Sequence, residues 1–324
     1  MSDLPASPLP ASPPPAPSPA APKRHRVGVI GAGRVGAVLA VALQAAGHQV
    51  VAVSGSSAAS LLRIQTLLPH LSPQSPQRVA RTADLLLLAV PDDRLEGVAS
   101  GLAESGALRA GQVVVHTSGR HGTAVLAAAA RCGVVPVALH PAMTFTGTDV
   151  DLGRLAGCVF GLTAEGPGRL IGEQLARDLH ARTAVVPEEQ RTLYHAALAH
   201  GANHLVTLVG QAMDLLRAAG STDPAATLAP LLRAAMDNTL AYGDAALTGP
   251  VVRGDSRTVA SHLAALDRLP VDRPQGASGG DDDIRSAYTT MARLTAARAA
   301  RSGRLSRAAA AEIHDLTDWA STTR

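Results

Sequence analysis

The 324-residue sequence has almost no aromatic side chains: three Tyr, two Phe and one Trp, 2% of the chain. A core must then be built from Ala, Val and Leu, whose small side chains suit close helix packing, and no aromatic set is present on which nucleobases could stack. Cysteine is scarce too. Cys132 and Cys158 are the only two, too few for a disulfide framework or a cysteine metal site, and they fit a reducing, cytoplasmic setting. Lysine is nearly absent, with Lys23 the single example. The formal charge is only +3, spread without an arginine run, which argues against a nucleic-acid partner. Charge is missing altogether from Val35 to Leu62. That stretch is broken by Gly47-His48-Gln49 and Ser54-Gly55-Ser56-Ser57, so it reads as helix, turn and strand rather than a membrane span. Residues 1–22 are Pro, Ala and Ser with no apolar signal-peptide core. They cannot bury enough surface to fold and are expected to be a disordered tail.

The chain is organised around Val27-Gly28-Val29-Ile30-Gly31-Ala32-Gly33-Arg34-Val35-Gly36. An apolar strand stops at a glycine, two more glycines follow in the spacing G-x-G-x-x-G, and an apolar helix begins. Gly31 permits the tight turn, Gly33 lets a pyrophosphate approach the backbone, and Gly36 lets helix and strand pack closely. The helix N-terminus then offers unpaired N–H groups and a partial positive charge to the phosphates of a ligand held at Gly31, Ala32, Gly33, Arg34, Val35 and Gly36. A second strand at Gln49–Val53 completes the context of a dinucleotide fingerprint.

Strands and helices then alternate. Strands are expected at Arg26–Ile30, Gln49–Val53, Asp84–Val90, Gln112–His116, Val134–Leu139, Cys158–Leu162 and Thr183–Val186. Helices are expected at Arg34–Ala46, Ala58–Leu68, Asp92–Ser105, Thr123–Arg131 and Arg169–His180, and Leu71–Gln77 reads as a loop. This pattern predicts an α/β fold, a doubly wound parallel Rossmann sheet. After Pro187 strand signals stop. Glu188–Ala219 reads as one long helix, followed by helices at Pro224–Leu247, Ser256–Leu269, Asp283–Arg301 and Ser306–Trp319, with a mobile connection over Leu269–Asp282. The three aspartates ending that connection read as a solvated helix cap in preference to a cation site. The predicted organisation is a tail (1–22), a dinucleotide-binding domain (23–187) and an all-helical domain for substrate and dimerisation (188–324). Ligands of such sheets lie beyond the carboxyl ends of the strands, so the active site is expected where the helical domain covers those ends.

NAD-specific sites usually carry Asp or Glu at the end of the second strand, about 20 residues past the first glycine. Here that position reads Val53-Ser54-Gly55-Ser56-Ser57. Small hydroxyl residues leave room for a 2′-phosphate, and Arg34 inside the fingerprint suits it as a forked partner, so NADP(H) is favoured over NAD(H). Val90 and Pro91, ending the leucine strand, would pass along the cofactor.

Four segments carry side chains suited to chemistry. His116-Thr117-Ser118-Gly119 ends one strand, and its hydroxyls and amides could hold a carboxylate or the nicotinamide amide. His140 ends the next; it is either a site residue or a buried histidine bonded to a carbonyl. On the helix after Pro187, His195, Ala199 and Asn203 share one stripe at 100° per residue, with His200 and His204 on an adjacent one. No Glu follows His200, the pattern H-E-x-x-H is absent, and no metal is expected. Arg253, in Leu247-Thr248-Gly249-Pro250-Val251-Val252-Arg253-Gly254-Asp255, is either a clamp for a substrate carboxylate or a partner of Asp255. Reducing a ketone puts negative charge on oxygen, which calls for an acid and a hydrogen-bond donor. A histidine has the right pKa range, and an amide such as Asn203 can donate. Lys23, at the start of the first strand, is at the wrong end of the sheet.

Taken together, the fingerprint, His116-Thr117-Ser118-Gly119, Leu139-His140-Pro141, Tyr194-His195 with Asn203, and the Leu247–Asp255 segment resemble a family that joins a Rossmann-like domain to a C-terminal domain of formerly unknown function. Its architecture is similar to that of the phosphogluconate-dehydrogenase-like and ketopantoate-reductase enzymes. Most members are known as predicted oxidoreductases and some as an alternative ketopantoate reductase of pantothenate biosynthesis. The resemblance implies an NADP-dependent enzyme acting on a CH–OH group, and pairing of two subunits through the helical domain. Related dehydrogenases use a Lys and an Asn on the helix leading into the second domain. Asn203 matches the Asn, the Lys is missing, and His195 or His200 stands in its place. The reading that follows is an NADPH-dependent reductase of a small 2-oxo acid, with 2-dehydropantoate the best single candidate. His195 would be the acid, Asn203 would orient the carbonyl, and Thr117, Ser118 and Arg253 would hold the carboxylate. Two rivals are an imine reductase of the pyrroline-carboxylate type, which needs no strong acid, and a non-catalytic NADP(H)-binding scaffold or sensor.

Overall fold

The structure is a computed structural model that describes residues 23–269 and 281–318. The tail read over 1–22 and most of the connection read over Leu269–Asp282 lie outside these residues. The chain forms two compact units, divided between Leu198 and Ala199.

The first unit runs β1 (Arg26–Ile30), α1 (Arg34–Ala45), β2 (Gln49–Ser54), α2 (Ala58–Leu67), α3 (Pro76–Thr82), β3 (Leu85–Leu88), α4 (Asp92–Glu104) and β4 (Val113–His116). A 3-10 turn at Thr123–Leu126 leads into α5 (Ala127–Ala130), then β5 (Val135–Pro141), α6 (Val150–Leu155), β6 (Val159–Thr163), α7 (Gly166–Asp178), β7 (Arg182–Val185), a second 3-10 turn at Glu188–Gln190, and α8 (Arg191–Leu198). The seven strands form one sheet in the order β2-β1-β3-β4-β5-β6-β7. Both faces are covered. Along the leucine strand, Leu85 and Leu87 enter the apolar cluster with Leu39 and Leu43 of α1 and Leu175 of α7. Leu86 and Leu88 enter the other, with Val79 of α3 and Leu95 and Leu102 of α4. Alternation with period 2 thus feeds two cores from one all-leucine strand, as a sheet buried on both sides requires.

The doubly wound α/β fold is as expected, with one change of direction. β2, β1, β3, β4 and β5 are mutually parallel, but β6 runs antiparallel to β5, and β7 is parallel to β6. The connection from β5 to β6 contains only the six-residue helix α6, too short to carry the chain back across the sheet for a parallel return. The 13-residue α7 makes that crossover between β6 and β7. α3 lies partly in the stretch read as a loop: Ser75 caps it through Arg78 N–H, and Pro76 takes its first turn, where a missing N–H costs nothing.

The second unit begins with a π-helical turn, Ala199–Asn203. It continues through α9 (His204–Ala218), α10 (Pro224–Tyr242), a 3-10 turn at Gly243–Ala246, α11 (Pro250–Arg253), α12 (Ser256–Leu266), α13 (Asp281–Arg301) and α14 (Arg307–Thr317). It is all-helical, as expected. The single helix read over Glu188–Ala219 is four pieces, and the 100° spacing behind the His195, Ala199 and Asn203 stripe does not hold through a π turn. α11 to α14 share a core that includes Val252, Val259, Leu263, Ala296 and Ile313. α9 buries no residue and α10 only Pro224. No helix among the described residues is long and apolar enough to cross a membrane.

Candidate active site

The strand order reverses beside β1, which has β2 on one side and β3 on the other. The fingerprint turn sits at that switch point. Gly31 has φ +95°, and a Cβ there would lie 2.6 Å from the Ala89 carbonyl oxygen. A Cβ on Gly36 would run into the Gly31 carbonyl, whereas one on Gly33 would meet nothing within 4 Å. The three glycines therefore divide their work as the motif requires: a left-handed turn, an open approach, and a close helix–strand contact. Gly31 and Ala32 donate their N–H groups to the Ser54 carbonyl at 3.1 and 2.9 Å, which ties the turn to the end of β2. Gly33 caps α1 with no side-chain bond, and no acid stands in the first turn, so the amides of Arg34, Val35 and Gly36 remain for a ligand.

A groove of about 690 Å³ opens over this turn. Gly31, Ala32, Gly33, Ser54, Val90 and Pro91, all expected from the sequence, line it. Ser56, Ser57, Ser60, Pro76, Asp93, Arg94 and Val98 line it as well. Arg94 was not legible as a site residue, because an Arg in a first helical turn normally points to solvent. Arg34 is exposed. A Cβ on Gly147 would stand 2.7 Å from Arg34 Cγ and 2.6 Å from Arg63 Nε, so the stem of Arg34 and the guanidinium of Arg63 both border the Gly147 turn. The open glycine, the uncapped helix, the serines at the end of β2 and these cations fit a dinucleotide that carries an extra phosphate.

At the ends of β4, β5 and β6 the same unit gathers a second set of side chains. Its anchor is Arg191, the first residue of α8, 1% exposed. Nε donates to Thr163 Oγ1 at 2.7 Å, Nη2 to the carbonyls of Ala138 (3.0 Å) and Gly161 (3.1 Å), and Nη1 to that of Ser118 (3.4 Å). Thr163 in turn donates to the Val186 carbonyl. One buried cation thus holds α8 against three strand ends. Burial lowers its pKa, while the neighbouring Tyr194 and Glu188 oppose the shift; a guanidinium stays charged regardless.

Pinned in this way, α8 presents Tyr194 and His195 to β5. The Tyr194 hydroxyl lies 3.0 Å from His140 Nδ1. The His195 ring packs edge-on to the His140 ring, with centroids 6.1 Å apart. Gly119 lies between the two histidines: a Cβ there would stand 2.6 Å from His195 Cδ2 and 3.1 Å from His140 Nε2. Burial, and secondarily the charges of His195 and Arg191, push the His140 pKa down to about 4. His116 is fully buried, and burial pushes it down to about 4 as well. Its Nδ1 accepts from Ser118 N–H (3.2 Å) and its Nε2 donates to the Gly122 carbonyl (2.8 Å), so it is a neutral framework residue. Glu188 accepts from the amides of Thr123 (2.7 Å) and Ala124 (3.2 Å) and tethers the far end of the same loop. A side chain on Gly122 would collide with that carboxylate.

Of the sequence-predicted residues in this unit, His140, His195 and the Thr117–Gly119 loop are brought together. Thr117 is half-buried. Ser118 is 7% exposed, and its hydroxyl accepts from His121 N–H at 3.2 Å, which braces the loop and leaves the hydroxyl hydrogen to donate. In the second unit, Asn203, His200 and Arg253 are exposed. His200 and His204 face each other through Nδ1 atoms 3.0 Å apart. Asp255 uses its carboxylate to cap α12, accepting from Thr258 N–H (3.0 Å) and Oγ1 (2.7 Å). No contact ion pair joins it to Arg253 among the described residues, and the Arg253 charge acts on Asp255 only as a minor influence behind the bonds from Thr258.

Fold and groove together define a protein of the Rossmann class. Residues 12–141 match the Rossmann-like domain and residues 158–295 match DUF2520, a domain of unknown function, and the chain belongs to the proteins that join these two domains. No curated protein matches it. Among solved structures it is similar to BF3122 of Bacteroides fragilis, assigned as an NADP oxidoreductase (TM-score 0.68, 22% identity, 85% of this chain and 98% of that one). It is also similar to TM1727 of Thermotoga maritima (TM-score 0.58, 20% identity, 86% and 99%). A third is the pyrroline carboxylate reductase of Plasmodium falciparum, solved with NADP bound (TM-score 0.51, 12% identity, 90% and 98%).

Proposed function

We propose that the protein is an NADP(H)-dependent reductase of a small carbonyl or imine substrate that carries a carboxylate. The observation that supports this best is the groove at the switch point, where an open Gly33 and an uncapped α1 meet serines at the end of β2 in place of an acid. Similar folds assigned to or solved with NADP support the same cofactor. Bound there, the nicotinamide would supply the hydride. The amides of the fingerprint would hold the pyrophosphate, and Arg34 would hold the 2′-phosphate. Beyond it, His195 would deliver a proton, and the loop at Thr117 would receive the carboxylate. Asn203, His200 and Arg253 are the second unit's candidates for orienting or clamping the substrate.

The substrate we favour is a 2-oxo acid, with 2-dehydropantoate tested first. A specific feature keeps imine reduction beside it: burial pushes the His140 pKa down to about 4, and an iminium ion, already positive, needs no acid. Purified protein mixed with NADPH and ketopantoate, or with NADPH and pyrroline-5-carboxylate, is followed at 340 nm, with NADH in parallel. Turnover of ketopantoate with a preference for NADPH is the expected result. His195→Ala should then lose ~10²–10³-fold in kcat/KM, against little loss for an imine reductase. NADPH binding without turnover of either would sink both named substrates and move the weight to another substrate or to the scaffold or sensor reading.

We also infer a homodimer that buries α9 and α10. These helices pair with each other, yet Val206, Leu231 and Leu240 stand 71%, 65% and 88% exposed. An apolar surface of this extent normally meets a partner. Sedimentation equilibrium of the full chain should give twice the mass of one chain, and Leu231→Glu/Leu240→Glu should give monomers. A wild-type monomer at micromolar concentration would refute the dimer.

A further inference from the structure

His140 ends β5 directly opposite Gly161 of the antiparallel β6. Because residue 161 has no side chain, the Tyr194 hydroxyl can settle over that strand: a Cβ there would stand 2.5 Å from it. The phenol oxygen lies against the Gly161 backbone, whose N–H favours electron density on that oxygen although burial outweighs it, and it lies 3.0 Å from His140 Nδ1. A phenol has one hydrogen to give. With the Gly161 N–H on one side of the oxygen, that hydrogen points elsewhere, and Nδ1 is the acceptor in reach. The opposite assignment, with Nδ1–H donating, would turn the phenol hydrogen away from the one protein acceptor in reach among the described residues, and a phenol is the stronger donor of the two groups.

We propose that Tyr194 is a positioning residue that fixes the tautomer of His140, with Nδ1 as acceptor and Nε2–H as a donor aimed at an oxygen of the substrate, either its carbonyl or its carboxylate. The substrate half of this inference rests on the reductase reading; the tautomer does not. Nε2 faces the same spot above Gly119 as the edge of His195, 3.1 Å and 2.6 Å from where a Cβ would be. No described protein group accepts from it. Burial first of all keeps the ring neutral; among charged and titratable neighbours His195, Arg191 and His116 also disfavour the imidazolium, and Asp92 opposes them. A neutral imidazole whose hydrogen is locked on one nitrogen polarises an oxygen through a hydrogen bond and needs no proton transfer of its own. The two histidines then divide the work, His140 orienting the oxygen and His195 supplying the proton.

The test uses the full chain labelled with ¹⁵N-histidine and long-range ¹H–¹⁵N correlation at pH 7.5, without cofactor, His140 being assigned by its absence in His140→Gln. The expected spectrum shows His140 as the Nε2–H tautomer, and Tyr194→Phe moves it toward a mixture of both forms. An Nδ1–H pattern in the wild type overturns the proposal, as does a Tyr194→Phe protein whose His140 signals are unmoved. Should Tyr194→Phe fail to fold, the wild-type spectrum decides alone. If the protein turns over a 2-oxo acid, Tyr194→Phe should raise KM about tenfold with a smaller change in kcat. The expected tautomer in a protein that reduces no 2-oxo acid or imine would keep the role of Tyr194 and sink the reductase reading.

Discussion

Arg191→Met should destabilise the first unit by about 3–5 kcal/mol, at the high end for a point change, because it breaks a buried hydrogen-bond network. Methionine nearly fills the space but donates nothing. Thr163 Oγ1 and the carbonyls of Ala138, Gly161 and Ser118 would lose their guanidinium donor, and each buried group left unpaired costs about 1–3 kcal/mol. The loss is smaller than the simple total because Thr163 keeps its bond to Val186 and strand carbonyls can relax toward water. Arg191→Lys is the sharper control. A lysine keeps the charge but has no planar fork, so it cannot reach β5, β6 and the β4 loop at once. It should recover part of the stability while leaving α8 less firmly placed, and with it Tyr194 and His195. Urea denaturation followed by far-UV circular dichroism measures both variants. A loss below about 1 kcal/mol for Arg191→Met would show that α8 is held by something other than this cation.

The contrast between Arg191 and the fingerprint shows what the sequence discloses. The fingerprint is local: its three glycines, the strand before and the helix after lie within twenty residues or so, each with its own backbone requirement, and all of Gly31 to Gly36 fall where the motif places them. Arg191 has no such signature. Its partners are backbone carbonyls and one hydroxyl, drawn from residues 28 to 73 positions away, and an arginine in a polar helical turn looks like any solvated one. The only available hint was Glu188-Glu189-Gln190-Arg191 starting a helix, where a cation at the N-terminus needs a compensating environment. Glu188 stands where negative charge would favour its own helix, yet its carboxylate serves the amides of Thr123 and Ala124. Strand direction was equally hidden. Alternating apolar residues mark β6 as a strand but carry no information on which way it runs, and that reversal is what sets Gly161 opposite His140 and makes room for Tyr194.

The same packing predicts acid lability well above the carboxylate range. His116 and His140 are held neutral with pKa values of about 4 against an unfolded 6.5, and burial lowers His25 as well. Below pH 6.5 the unfolded chain takes up protons at these sites and the folded one does not until about pH 4. Their stabilisation is therefore complete above pH 6.5 and is lost as pH falls. A shift of this size corresponds to about 3 kcal/mol for fully buried His116, and to less for half-buried His140, whose ring is partly screened by water. Asp178, whose pKa is lowered by Gln174, His48 and Arg24 against the opposing effect of burial, contributes in the opposite ionic sense and below this window. Its stabilisation is lost only as pH falls through the acid range under 3.8. Between pH 7.5 and 5, then, the urea midpoint should fall by an amount equivalent to about 2–4 kcal/mol. His116→Gln separates this from a general effect of acid. A glutamine can donate to the Gly122 carbonyl and accept from Ser118 N–H as the imidazole does, but it does not titrate. The variant should be less stable than wild type at pH 7.5, with a stability–pH slope near pH 5.5 smaller by about one proton, roughly 1.4 kcal/mol per pH unit. A wild-type midpoint that stays constant from pH 7.5 to 5 would mean that His116 and His140 already accept protons in the folded state. His140 could not then be the neutral donor that the contact with Tyr194 requires.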